Sequence, residues 1–332
     1  MIKMEQENLY PLLFKPIYKS VIWGGDMLNS YLHRKLHKPE LPIGEAWEIV
    51  DRDKDVSVVE SGSLAGKSLR TLIETYGSDL VGQKNVNKRF PLLVKIIDAG
   101  QRLSLQVHPD EAACKKIIGA EPKNEMWYVI ASKKDAKIFV GINSKATKRN
   151  FMDSYNSLDI EKYLQAYKSV PGDAYFITSG TVHAIGEGNL LLEIQQNSDT
   201  TYRISDWSRV DADGKPRELH IKNALESIHF AKRVSSKITG VSGAAGHNRK
   251  YPIINNCPFF QVDDLKLATK WDDKAAGNFH ILTAITDNIC VGKRDNLVEV
   301  KKGRSCLVPA AFGDYSIVVD ETKETTVIKS QI

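Results

Sequence analysis

Two histidines, a glutamate and a glutamine carry the clearest chemistry of this 332-residue chain. Gln106-Val107-His108 is followed by Glu125 and, much later, by His183, which ends the run Pro171-Gly-Asp-Ala-Tyr-Phe-Ile-Thr-Ser-Gly-Thr-Val-His. In an extended strand alternate residues face the same side, so Gln106 and His108 project together. Two imidazoles and two oxygen donors form a borderline-hard set that suits zinc or a neighbouring divalent ion. A cation held mainly by strands points to a barrel with its chemistry inside. That reading requires the four residues to converge.

The elements that must position them read as short strands. Arg89-Phe-Pro-Leu-Leu-Val-Lys-Ile-Ile, Lys137-Ile-Phe-Val-Gly-Ile, Ala174-Tyr-Phe-Ile-Thr and Asn189-Leu-Leu-Leu-Glu-Ile are apolar runs with turn residues nearby. Phe259 to Leu267, Phe279 to Ile285 and Tyr315 to Val319 continue the pattern. Alternating strand–helix units are missing, which argues against a parallel α/β sheet and favours a mainly β sandwich or jelly roll. Helices are subordinate. One is expected over 110–118, with Pro109 at its start and Gly119 after its end. Two are expected within 145–167, packed over one side of the barrel, and one over 218–232. The Ser-, Gly- and Ala-rich stretch 234–248 reads as a linker. It divides a first domain, 1–240, from a smaller C-terminal β-domain, 250–332.

Composition bounds the function class. The apolar share is 42%, the charged share 26% and the net charge +5, values of an ordinary soluble protein. Basic residues are spread along the chain without a basic arm or helix-turn-helix pattern, so no nucleic-acid partner is expected. No apolar run is long enough to cross a bilayer. The N-terminal Met-Ile-Lys-Met-Glu-Gln-Glu-Asn lacks the apolar core of a secretory signal. Cys114, Cys257, Cys290 and Cys306 are widely scattered and read as reduced thiols of a cytoplasmic protein.

Leu103-Ser-Leu-Gln-Val-His-Pro-Asp-Glu followed by Lys123-Asn-Glu-Met-Trp resembles the type I phosphomannose isomerases. The resemblance extends through Gly44-Glu-Ala-Trp-Glu-Ile, Phe90-Pro-Leu-Leu-Val-Lys, Val182-His-Ala-Ile-Gly and Glu193-Ile-Gln-Gln-Asn-Ser-Asp-Thr-Thr-Tyr-Arg, in the family's order over most of residues 15–210. The chain looks like the compact bacterial form. The resemblance implies a cupin barrel, one Zn2+ per chain, and interconversion of mannose 6-phosphate with fructose 6-phosphate. It places the metal ligands on Gln106, His108, Glu125 and His183, and catalytic residues on Lys123 and Arg203. Arginine keeps its proton near neutral pH, so the role implied for Arg203 is electrostatic, on an oxyanion or as a substrate clamp. Lys123 suits proton transfer or a phosphate contact. Many relatives carry a histidine just before the Lys-Pro-Glu run, whereas this chain reads Glu121-Pro122-Lys123-Asn124-Glu125. The exchange of proline for Asn124 reads as mild, because neither side chain need touch substrate.

Further candidates follow from position. Ser104 lies two residues before Gln106 and is expected on the same side, within reach of phosphate or sugar. Lys95 sits in an apolar run, where an unpaired charge is costly, so it needs a phosphate or a carboxylate such as Glu45 or Glu48. Glu193 and Asp199 are expected to orient Arg203 or touch sugar hydroxyls, and Trp23 and Trp127 read as core or pocket walls. His220, His229, His247 and His280 read as structural. The chain is expected to act alone or as a weak homo-oligomer on a small sugar phosphate. The rival from another class is a non-catalytic, metal-containing cupin that binds a sugar phosphate as a sensor. An iron-dependent cupin oxygenase fits less well, because Gln106 is a poor ligand for such a site.

Overall fold

The structure, a computed structural model, describes residues 8–36, 42–210, 214–230, 237–238, 246–294 and 296–332. Short antiparallel strands dominate it, as the apolar runs predict, and the fold is the mainly β architecture expected. The chain separates into two units, each built from more than one stretch. One comprises Met1–Ile17, Trp47–Val94 and Val241–Ile332, the other Tyr18–Ala46 and Lys95–Gly240. Of the linker expected over 234–248, residues 234–236 and 239–245 lie outside the described residues.

The unit holding residues 95–240 contains the strands with the candidate ligands. Five strands hydrogen-bond in the order Leu164–Lys168, Lys137–Ile142, His183–Ile185, Leu105–Val107 and Tyr202–Ser205. A seven-stranded sheet places Glu125–Ser132 between Ala174–Ile177 and Asn189–Gln196. Alternation decides what each face carries. Leu105, Val107, Phe139, Ala184, Tyr202 and Ile204 form one apolar cluster with Phe151 and Ile160 of the helical segment and with Ala224 and Ile228. The intervening residues of those strands (Gln106, His183, Ile185 and Arg203) therefore face the other way. On that side Ile138, Val140 and Ile185 meet Trp127, Val129, Tyr175, Ile177 and Leu191 of the larger sheet in a second cluster, which also holds Trp23. The ligand strands thus have a greasy outer face under helices and an inner face shared between two sheets.

Helical elements are shorter than their sequence patterns. Within 145–167 they run Lys148–Ser154, opened by a reciprocal cap between Thr147 and Asn150, and Leu158–Tyr163. Residues 164–167 belong instead to a strand, because Leu164–Lys168 finds a free edge on Lys137–Ile142. The helix expected over 110–118 is regular only over Glu111–Cys114, capped by Asp110, whose carboxylate accepts the Ala113 N–H at 2.8 Å. The one expected over 218–232 spans Ile221–Ser227; residues 231 and 232 lie outside the described residues.

In the other unit, six strands from Leu12–Leu13 to Arg249–Ile254 and four strands from Trp271–Ala275 to Asn296–Val300 enclose a core of Leu265, Leu282, Val291, Val308, Ile317 and Val327. A buried ion pair joins its sequence-distant parts. Arg304 Nε lies 3.0 Å from Oε2 of Glu48, which is 1% exposed. Its Nη2 donates to the Phe14 carbonyl and to Glu60 Oε2 at 2.7 Å. Removing one member of a buried pair strands the other charge, at a cost of about 3–5 kcal/mol. Arg304→Met should therefore move the urea midpoint sharply downward. A midpoint unchanged within error would show that the pair contributes nothing net.

Candidate metal centre and active site

Three of the four predicted ligands meet. His108, Glu125 and His183 offer donor atoms that lie within 4.8 Å of one another, and all three side chains are at most 1% exposed. Each arrives on a different strand segment. His108 follows Leu105–Val107, Glu125 opens Glu125–Ser132, and His183 opens His183–Ile185. Gln106 is the direct cross-strand partner of His183 on one side and of Arg203 on the other. Direct partners in an antiparallel pair put their side chains on one face. Gln106 is half-buried and stands between the ligand histidine and the candidate arginine.

The second nitrogen of each imidazole shows which tautomer is present. His108 Nδ1 lies 2.9 Å from the Thr200 carbonyl, and His183 Nδ1 lies 2.8 Å from the Thr181 carbonyl. A carbonyl only accepts, so each Nδ1 carries the proton and each Nε2 presents a lone pair. Those lone pairs face Glu125: His108 Nε2 is 3.2 Å from Oε2, and His183 Nε2 is 3.3 Å from Oε1. All four atoms are buried without a hydrogen-bond partner. Burial, together with the Lys123 charge, lowers His108 to about 4, and burial also lowers His183. Burial alone would raise the Glu125 carboxyl, but its neighbours, the Lys123 charge foremost, hold it well below the usual range. Neutral imidazole lone pairs aimed at a carboxylate repel it. A cation between them turns the arrangement favourable. Two donors each about 2.1 Å from a tetrahedral zinc-like centre are about 3.4 Å apart, close to the separations seen here. The residues fit a metal, and their backbone-anchored Nδ1 protons are the usual outer support of histidine ligands.

The other predicted residues sort around this cluster. Lys123 is buried, with Nζ 3.0 Å from Glu125 Oε2. Arg203 donates from Nη1 to the Glu218 carbonyl at 2.7 Å, while its buried Nε has no hydrogen-bond partner among the described residues. Lys95 sits 3.5 Å from Glu45 and 3.5 Å from Glu193. Burial alone would lower it, but Glu45, Glu193, Asp199 and Glu125 together raise it and keep it charged. Of the two carboxylates suggested for Lys95, Glu45 is the partner; Glu48 serves Arg304 instead. Glu193 does not orient Arg203. It accepts the Trp127 indole N–H at 2.8 Å, and the edge of Trp127 packs against His183 with ring centroids 5.3 Å apart. Ser104 is buried but makes no hydrogen bond to the cluster among the described residues.

Sequence reasoning missed the backbone that holds the ligands. The turn Thr178–Thr181 bonds to every ligand segment. Its Gly180 N–H donates to the His108 carbonyl at 2.8 Å, its Ser179 Oγ to the Lys123 carbonyl at 2.9 Å, and its Thr181 carbonyl anchors His183. Gly180 has φ +82°, and a Cβ there would lie 2.5 Å from the His229 ring, so the position requires glycine. Thr200 and Thr181 act through main-chain oxygens, which leave no side-chain signature to read.

Comparison with known proteins agrees with this geometry. The family model for the type I phosphomannose isomerase catalytic domain matches residues 12–138. The chain is 37% identical over 308 residues to mannose-6-phosphate isomerase ManA of Bacillus subtilis, covering 92% of this chain and 95% of that protein. It is 34% identical to the mannose-6-phosphate isomerase of Streptococcus mutans, covering 95% and 99%. A crystal structure of the mannose 6-phosphate isomerase from Bacillus subtilis superposes with a TM-score of 0.84 at 30% identity, over 98% of this chain and all of that one. With the ligand motifs in order, a shared fold and identity above 30% over more than nine-tenths of its length, this chain belongs to the type I phosphomannose isomerase family.

Proposed function

We propose that this protein is a zinc-dependent mannose-6-phosphate isomerase, interconverting mannose 6-phosphate and fructose 6-phosphate by proton transfer between C1 and C2 through an enediolate. One observation carries the reading: His108, Glu125 and His183 bring buried donor atoms within 4.8 Å of one another, with Lys123 paired to Glu125 and Arg203 on the strand position opposite Gln106. A zinc ion, when bound, would supply Lewis acidity toward the sugar oxygens.

The chain's own groups do the rest. Gln106 adds a neutral amide oxygen to the ligand set, next to His183. Arg203 keeps its charge and offers an unshared N–H toward negative charge developing on the substrate. Lys123 sits at the cluster without being a ligand type favoured by zinc, and its amine is suited to hold a proton at Nζ in the transfer. Lys95, Ser104 and Glu193 form the substrate side of the site. Lys95 is already balanced by two carboxylates, so its main work is to fix Glu193 and, through it, Trp127. This chemistry falls within residues 1–240, in the unit of Tyr18–Ala46 and Lys95–Gly240, and residues 250–332 lie in the other unit, which we read as non-catalytic. No helix among the described residues is long and apolar enough to cross a membrane. We read it as a cytoplasmic enzyme, a monomer or weak homo-oligomer with a small sugar phosphate as its partner, and its scattered free cysteines suit a reducing compartment.

Exhaustive chelation should abolish turnover of mannose 6-phosphate in a coupled assay, and added Zn2+ should restore it. Full activity in metal-free protein would refute the metal-dependent reading, while tight substrate binding without turnover would favour the sensor. Arg203→Ala should lower kcat by roughly 10²–10³, the loss typical of one preorganised donor to developing charge. Zinc content should stay near one per chain; unchanged turnover would remove Arg203 from the mechanism. Lys123→Met, which keeps the length and removes the titratable nitrogen, should reduce kcat by at least about 10², as expected for a general acid–base group. Equal kcat with a raised KM would reassign Lys123 to phosphate binding.

A further inference from the structure

Asn124 lies between the candidate catalytic lysine and the ligand glutamate, and its bonds exceed what a spacer needs. Its backbone N–H and its side-chain Nδ2 both donate to Oε1 of Gln196, at 2.8 and 2.7 Å. Its carbonyl accepts the Gln196 N–H at 3.1 Å. Its Oδ1 accepts the Ser179 N–H at 3.0 Å, and Ser179 Oγ donates to the carbonyl of Lys123. Both hydrogen-bonding groups of the Lys123–Asn124 peptide are therefore held, as is the carbonyl of the next one. The grip comes from two elements at once. Gln196 ends the Asn189–Gln196 strand, and Ser179 belongs to the turn that also fixes His108 and His183.

Lys123 and Glu125 leave the chain on either side of this clamped unit, and both side chains are buried. A rotation of the clamped peptides would swing both groups. Changes of 1 Å at a reacting group can cost about 10² in rate. We propose that Asn124 is a positioning residue: by latching Gln196 and Ser179 it fixes the directions of Lys123 and Glu125, and hence their separation and the seating of Glu125 between the two histidines. The catalytic half of this claim rests on the isomerase reading; the metal-binding half does not. Asn124 is a better residue here than one without a backbone N–H or a side-chain amide, because one Gln196 oxygen collects both donors while Oδ1 remains for Ser179.

The test uses the full chain with Asn124→Ala, Gln196→Ala and the double variant, each measured for thermal stability, zinc affinity by competition with a chromophoric chelator, and kinetics on mannose 6-phosphate. Loss of an outer partner of a metal ligand typically costs 10–100-fold, so each single variant should bind zinc about 10-fold more weakly and lose about 10-fold in kcat, with KM little changed. Because the two residues form one latch, the double variant should be no worse than the worse single one. Asn124→Ser, which retains an acceptor for Ser179, should recover part of the loss, and it carries the same readouts if Asn124→Ala does not fold. Zinc affinity and kcat unchanged in the folded variants, even with a lowered Tm, would overturn the proposal, as would losses that multiply in the double variant. If the unaltered protein shows no turnover, the isomerase reading fails, and the zinc-affinity measurements still decide the latch.

Discussion

Two imidazole lone pairs and a carboxylate are driven together where water is excluded. The Lys123 charge, 3.0 Å from one carboxylate oxygen, leaves both imidazole lone pairs without a donor, a demand that a cation among them would meet. That constraint organises the rest of the unit. Neither histidine can relieve it by protonation near neutral pH, because burial lowers both and the Nδ1 protons are committed to main-chain carbonyls. Glu125 cannot relieve it either, since the Lys123 charge favours its ionised carboxylate. The free energy that keeps the four donor atoms converged must come from packing elsewhere. Its sources are the apolar floor under His183, formed by Trp127, Ile185 and Val140, and the helix-covered outer face of the ligand strands.

Rigid placement follows from how few degrees of freedom remain. Strand alternation fixes the face on which Gln106, His183 and Arg203 appear, and their cross-strand register sets them side by side. The Thr178–Thr181 turn then ties the main chain of His108, Lys123 and His183 to one short loop. The Trp127–Glu193–Lys95–Glu45 chain of contacts buttresses the His183 ring from the opposite sheet. A buried lysine between two carboxylates is costly as a stabilising device, and its value lies in specifying one orientation of Glu193 and so of the indole.

Much of this was legible in the residues. The period-two pattern placed the strands, and residue type with alternation marked Gln106 and His108 as facing one way. Identity of order with a known family supplied Glu125, His183, Lys123 and Arg203. Other features were not legible, for physical reasons. Residues 164–167 have helical spacing, yet an open sheet edge outweighs local propensity and draws them into a strand. Lys95 needed a partner, but only the fold chooses Glu45 and Glu193 over Glu48, which a distant arginine claims. Asn124 reads as an idle position because its importance lies in where its hydrogen bonds end, on Gln196 and Ser179, and spacing does not encode that.

The chemistry of this site depends on where a metal ion sits. Anomalous diffraction at the zinc edge, on crystals of the zinc-loaded protein, tests this directly. A single peak bonded at about 2.0–2.2 Å to Nε2 of His108, Nε2 of His183, a Glu125 oxygen and the Gln106 amide oxygen is the predicted result. A peak elsewhere, or saturating zinc with no peak among these residues, would contradict it.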